Sequence, residues 1–226
     1  SHWGRAARCD WEIFNAPAKG NHLPNTFFAI RVQAPGQAPV LRMLEGALQP
    51  PFNASHGYHP SQNGGLPRFR HSQFGGEYPL AWVELDDPGV PVKVRLEAFN
   101  PLLPLNPDDS GIPCASFSYS VTNSSDQPLS ITLAGSLCNA VGGVQFDPFM
   151  NIMRSKQGQT RNQFREEAGL RGIFMDAAGI GSDDVMFGSM GLVTTCENVT
   201  VKPQWLRSGW WDFLQEYWDD LAEDGL

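Results

Sequence analysis

Hydrophobic and polar residues alternate most regularly in the middle of this chain. Val92, Val94 and Leu96 are interleaved with Lys93, Arg95 and Glu97, and Phe117, Tyr119 and Val121 with Ser118, Ser120 and Thr122. Successive side chains of a strand point to opposite faces, so a period of two predicts antiparallel strands with one face buried and the other in water. Leu129, Ile131 and Leu133 resume the alternation, against Ser130 and Thr132, after a polar connection at 123–128. Two alternating runs joined by a short polar turn predict a β-hairpin.

Earlier in the chain the pattern changes twice. Phe27-Phe28-Ala29-Ile30-Arg31-Val32 is an almost unbroken apolar run closed by Pro35-Gly36, which predicts a first core strand. Residues 49–76 then turn to Pro, Gly, Asn, Ser and His, with Asn63-Gly64-Gly65 as a turn. A long irregular loop is predicted there, and long loops on rigid sheets tend to carry function. Towards the C-terminus, Ile173-Phe174-Met175 and residues 186–190 are candidate strands separated by 176–184.

The tail follows a different period. At 100° per residue, Trp210, Leu214, Tyr217, Trp218 and Leu221 share one stripe, opposite Asp212, Glu216, Asp219, Asp220 and Glu223. This predicts an amphipathic helix of about four turns, with Ser208 as N-cap. Such a short helix is marginal in water by itself. Its aromatic face is therefore expected to be an interface, covered by a partner domain. The expected organisation is a sandwich at 1–205 and a helix at 206–226 leading into a further domain.

Composition narrows the class. Charged residues are 18% against 41% hydrophobic, which excludes a disordered chain, and 23 Gly and 18 Pro imply many short elements divided by turns. The fold expected is all-β: a large antiparallel β-sandwich of two twisted sheets with a short C-terminal amphipathic helix. A net charge of -8 and a pI near 5.0 argue against nucleic acid, whose backbone demands clustered Lys and Arg. No apolar run approaches the roughly 18 residues of a membrane span, and the start has no signal-peptide core. Cytoplasm is thus favoured over secretion, although the three sequons at Asn53, Asn123 and Asn198 would matter in a secretory compartment. The chain begins without Met and enters an aromatic region at once, so the original N-terminus is expected to be missing. Cys9, Cys114, Cys138 and Cys196 have no CxxC spacing and are expected to be buried, reduced thiols.

Candidate chemistry is thin. Carboxylates adjoin at Asp86-Asp87, Asp108-Asp109, Asp183-Asp184 and Asp219-Asp220. A glycosidase needs two carboxyls roughly 5 to 9 Å apart across a sugar, whereas neighbours in a strand point to opposite faces. The first three pairs sit beside Gly, Pro or Ser, where Asp favours turns. His56, His59, His71 and Glu77 contain ligand types, but H-x-x-H in a Gly/Pro loop lacks helical spacing, so no metal is expected. Arg154, Lys156, Arg161, Arg165 and Arg171 form the one basic stretch, read as a solvated loop or short helix rather than a dock for an acidic surface, given the interspersed Glu166 and Glu167. No strand-loop-helix phosphate cradle and no Ser-His-Asp or Cys-His arrangement is identifiable.

Several segments nevertheless resemble family 116 glycoside hydrolases, the β-glucosidase and glucosylceramidase group, of the bacterial and archaeal type. They are Asp10-Trp11-Glu12-Ile13-Phe14-Asn15, then Lys19-Gly20-Asn21-His22-Leu23-Pro24-Asn25-Thr26-Phe27-Phe28-Ala29, Gly76-Glu77-Tyr78-Pro79-Leu80-Ala81-Trp82-Val83, Glu97-Ala98-Phe99-Asn100-Pro101-Leu102-Leu103-Pro104-Leu105-Asn106, Asp108-Asp109-Ser110-Gly111-Ile112-Pro113 and Gly209-Trp210-Trp211-Asp212. Their order agrees along nearly the whole chain; the start, residues 1–9, departs from the family's usual glycine-rich strand. The resemblance implies an N-terminal β-sandwich followed by an α/α-barrel that holds a retaining nucleophile and an acid/base carboxyl. No residue here matches those motifs, so the catalytic residues are expected after residue 226 and this chain alone is expected to be inactive. The implied substrate of the full-length enzyme is a β-glucoside or glucosylceramide-like molecule, with no cofactor. Residues 19–25 and 49–76 are expected to reach the barrel's mouth, with His22, Asn25 and His59 near substrate. The competing expectations are a stand-alone carbohydrate-binding sandwich, which would show coplanar exposed aromatics, and a gene fragment with no role of its own.

Overall fold

The computed structural model describes residues 23, 25–47, 65–146, 153–155, 159–206 and 212–225. Two four-stranded sheets face each other. The first contains β1 (Phe27–Gln33), β2 (Val40–Gly46), β3 (Arg68–Phe69) and β8 (Ser130–Ser136), in the order β3-β2-β1-β8. The second contains β4 (His71–Glu77), β5 (Leu80–Asp86), β6 (Val92–Phe99) and β7 (Ser116–Asn123), in sequence order, with the one-turn helix α1 (Pro107–Ser110) between β6 and β7. A short ribbon, β9 (Val144–Phe146) with β10 (Met153–Ser155), and a third sheet of β11 (Gln159–Glu167), β12 (Leu170–Ala178) and β13 (Met190–Thr194) follow. Helix α2 (Asp212–Glu223) ends the described chain.

The sandwich core forms where the inward residues of the two sheets meet. Ile30, Val32, Leu44 and Phe69 of the first sheet pack on Val83, Leu85, Val92, Val94 and Leu96 of the second. These are the alternating residues of β6, and Val94 and Leu96 stand opposite Val121 and Tyr119 of β7. A second cluster lies on the other face of the first sheet, where Phe27, Ala29, Leu41, Met43 and Ala134 meet Tyr217 and Leu221 of α2. The second sheet, the first sheet and the helix therefore stack as three layers. The near-continuous apolar run of β1 follows from its middle position, since both faces of the strand are covered.

The all-β sandwich with its C-terminal helix is as the sequence predicts, but four local expectations change. β7 and β8 do not form a hairpin: β7 pairs with β6, and β8 pairs with β1 in the opposite sheet, Leu133 opposite Ile30. Alternation reports which face is buried but carries no information about which strand lies alongside. The 124–129 connection crosses between sheets, organised by Asn123, whose side chain accepts from Ser125 N–H at 2.8 Å and donates to Gln127 C=O at 2.7 Å. The predicted loop at 49–76 contains β3 and β4 in its second half; 48–64 lies outside the described residues. β4 is an edge strand of polar and glycine residues around Phe74, held by its main-chain ladder to β5. The basic stretch is also strand rather than loop or short helix. In the β11–β12 hairpin Arg161 stands opposite Asp176 and Glu166 opposite Arg171, both as ion pairs. Cross-strand charge pairing stabilises a sheet that has few apolar residues to alternate. The second candidate strand of this region is displaced, because β13 begins only at Met190.

Cysteines also depart from expectation. Cys9 lies outside the described residues; of the other three, Cys114 and Cys196 are exposed and Cys138 is largely covered, its thiol pushed up to about 12 by burial. No helix among the described residues is long and apolar enough to cross a membrane.

Candidate functional site

Helix α2 is bound to the sandwich by more than its apolar stripe. Tyr217 stacks on Trp205, ring centroids 4.4 Å apart, and meets Phe27 edge-on at 5.8 Å. Arg31 lies on the helix side of β1 and donates from Nε to Ala222 C=O at 3.2 Å and from Nη2 to Glu223 C=O at 3.3 Å. A cation at a helix C-terminus satisfies free carbonyls and opposes the negative end of the macrodipole. On the polar side, Lys202 Nζ donates to Glu216 at 2.6 Å and Asp220 at 2.7 Å, one turn apart. Thus Leu214, Tyr217, Trp218 and Leu221, the stripe expected to await another domain, pack on the chain's own first sheet. Arg31 and Lys202 were not legible as partners of the tail, because nothing in a lone Arg within an apolar run names a helix nearly two hundred residues away.

The carboxylate pairs separate as turn chemistry requires. Asp87 is buried at the end of β5, accepts from Gly89 N–H at 2.8 Å, and faces Arg42 at 3.5 Å and Arg70 at 3.8 Å. Burial alone would raise its pKa, but the Gly89 N–H and the two guanidinium groups outweigh it and hold the carboxyl below its ordinary value. Asp109 sits in the single turn of α1, where its N–H donates to the Asn106 cap at 3.1 Å. Asp184 accepts from Met186 N–H at 2.8 Å. Asp176 is likewise held low, by the two hydrogen bonds from Arg161. Both shifts run opposite to that of a general acid, whose pKa must be raised.

Of the residues expected near substrate or metal, His22, His56 and His59 lie outside the described residues, as does Trp210 of the stripe. Asn25 is described, just before β1, with φ +56° and its carbonyl accepting from Ser136 Oγ at 2.5 Å. His71 and Glu77 occupy opposite ends of β4, about 20 Å apart at the rise of a strand, so they do not share an ion. Among the described residues no group of three or more His, Cys, Asp or Glu converges on a metal position.

Among the described residues nothing covers the outer face of the second sheet, which has two halves. Towards its middle, Trp82 lies across Gly75, its cross-strand partner. A Cβ at Gly75 would fall 2.1 Å from the indole, so only glycine admits the ring. Arg95 lies 5.8 Å from the ring centroid and pairs with Glu84 and Glu97. Towards the end, Leu80 and Phe99 are opposite one another and exposed, beside Tyr78 in the β4–β5 turn. The 100–115 connection continues this end with exposed Leu102, Leu103, Leu105 and Ile112. Within it Ser110 Oγ donates to Leu103 C=O and accepts from Leu103 N–H.

The sequence model of one family, the N-terminal domain of glycosyl-hydrolase family 116, described for beta-glucosidase 2, matches residues 4–226. The chain belongs to this family. It is a glycoside hydrolase N-terminal domain, and two of the segments that suggested it have places, whereas residues 10–22 and 209–211 lie outside the described residues. Residues 76–83 of the family 116 domain form the β4–β5 turn and the start of β5, and 97–113 form the end of β6 and the α1 connection. These segments adjoin at the apolar end of the second sheet, a convergence that two separate stretches of sequence do not reveal.

Proposed function

We propose that this family 116 domain is the non-catalytic β-sandwich of a retaining β-glucosidase or glucosylceramidase-like hydrolase. It supports an α/α-barrel of the same polypeptide, and that barrel carries the nucleophile and the acid/base carboxyl. The observation that carries this reading is the match of nearly the whole chain to an N-terminal domain of glycoside hydrolases. Retaining hydrolysis needs two carboxyls about 5 to 5.5 Å apart, one attacking the anomeric carbon and one protonating the leaving oxygen. Asp87 and Asp176, ionised and tied to arginines, suit structural pairing better than proton delivery. The purified 226-residue chain is expected to leave an aryl β-glucoside intact, while the full-length polypeptide hydrolyses it. Turnover by the chain alone that survives repurification rejects the reading.

Within this proposal His22, Asn25 and His59 lie on the substrate side, with residues 19–25 and 49–76 approaching the barrel's mouth. Replacing His22 or His59 in the full-length enzyme should raise KM more than it lowers the melting temperature; unchanged kinetics reject a substrate role. A second reading, a carbohydrate-binding sandwich, draws on Trp82, whose flat indole over Gly75 offers a surface for sugar stacking. Binding of cello-oligosaccharides to the chain, abolished in Trp82→Ala, would favour it.

A further inference from the structure

The geometry points to the apolar end of the second sheet as the surface on which the catalytic domain docks, an inference that rests on the reading of this chain as a supporting sandwich. Tyr78 is 78% exposed, and Leu80, Phe99, Leu103 and Ile112 each keep close to half their surface in water. Leu105 is fully exposed. The water-facing side of an antiparallel sheet is normally polar, and it is so two rows away, where Glu84 pairs with Arg95. The apolar character belongs to one end only.

This end is built rather than loose. The Leu103–Ser110 bonds, the Asn106 cap and the bond from Gly111 N–H to Pro107 C=O at 2.9 Å satisfy the 100–115 connection from within. Leu105 nonetheless holds φ at +67°, a left-handed conformation that costs a residue with a bulky side chain. Its reward within the described chain is no contact at all, which is the mark of a side chain displayed for something else.

Charge selects the occupant. Glu77, Asp108 and Asp109 lie along the patch, Glu97 beside it is paired with Arg95, and no Lys or Arg occurs from residue 96 to 153. A second copy of this chain, joined about a two-fold axis, would set one acidic rim against the same acidic rim. A domain with an apolar centre ringed by Lys and Arg fits instead. The outer face of the first sheet is already taken by α2, so of the two outer faces of the sandwich this is the one uncovered among the described residues.

The test uses the full-length polypeptide carrying Leu105→Asp with Ile112→Asp, and Val185→Asp as an exposed control outside the patch. In the wild type the sandwich should melt at a higher temperature than the isolated 226-residue chain. The double variant should return that transition to the isolated chain's position and speed proteolysis between the domains at least tenfold, while Val185→Asp changes neither. The same double variant in the 226-residue chain should melt as the wild type does. As a second readout independent of folding energetics, the photoreactive benzoylphenylalanine in place of Leu105 should cross-link to the catalytic domain of the same molecule. Unchanged melting and proteolysis in the double variant overturn the docking surface and leave the supporting role standing, as do cross-links to a second copy or within residues 1–226. A wild-type sandwich that melts in the full-length protein where the isolated chain does overturns the supporting role, and the docking surface with it.

Discussion

The two sheets of the sandwich share one core and differ in what lies behind them. β1 and β2 of the first sheet are buried on both faces, because α2 covers the side turned away from the core. β5 and β6 of the second alternate between a buried and a water-facing row, because among the described residues nothing covers their outer face. The periodicity of a strand thus reports how many layers flank it, one for a period of two and two for a continuous run. Helix α2 is accordingly a third layer, packed on the first sheet.

The difference between the sheets predicts where substitutions hurt most. Phe27 is fully buried between the first sheet and the helix, 6.0 Å from Trp205 and 5.8 Å from Tyr217 by ring centroid. Phe27→Ala should cost about 3–5 kcal/mol, the range for a buried aromatic, seen as a lower urea midpoint. If it costs no more than Phe99→Ala on the open face, the helix is not part of the folded unit and the three-layer account fails. Arg31→Met comes next. It keeps bulk but leaves the carbonyls of Ala222 and Glu223 without their charged donor, so a loss of about 1–3 kcal/mol is expected. Far-ultraviolet circular dichroism should show the helical signal fading before the β signal does.

Asp87 links the sheets electrostatically, since Arg42 belongs to β2 of the first and Asp87 follows β5 of the second. Its folded-state pKa lies below its ordinary value. The stability it contributes is therefore present above the unfolded pKa of about 3.9 and is lost as pH falls through the folded pKa. Asp87→Asn should be less stable than the wild type at neutral pH and lose less on acidification below about pH 4. Parallel pH curves for the two proteins would show that the pair does not couple the sheets.

These contrasts explain how much of the molecule was legible in its sequence. The faces of β1, β6 and β7 were readable because burial imposes a period directly on residue type. The partner of β8 was not, because the ladder that joins it to β1 is made of backbone groups every sequence possesses. The Arg161–Asp176 and Glu166–Arg171 pairs disguised β11 as a charged loop, since a strand stabilised by cross-strand ion pairs carries no apolar alternation. The stripe of Leu214, Tyr217, Trp218 and Leu221 was legible as an interface and its partner was not: amphipathicity says that a face is covered, never by what. The apolar end of the second sheet was hidden for a similar reason. Tyr78, Leu80, Leu105 and Ile112 come from two segments that only the fold brings together.

The smallest expected effect is also the sharpest check on the comparison. Arg95 on the open face pairs with Glu84 at 2.6 Å and Glu97 at 3.1 Å, shorter contacts than those Arg31 makes with the helix. Distance alone would rank it the stronger anchor. Solvent reverses the ranking: an exposed pair exchanges hydration for a contact of similar strength, pays the entropy of fixing two long side chains, and is screened by salt. Arg95→Ala should therefore leave the urea midpoint where it is, at low and at high salt alike. A shift as large as that of Arg31→Met would mean that the outer face of the second sheet is sheltered in solution, and that the two sheets differ in what covers them rather than in whether they are covered.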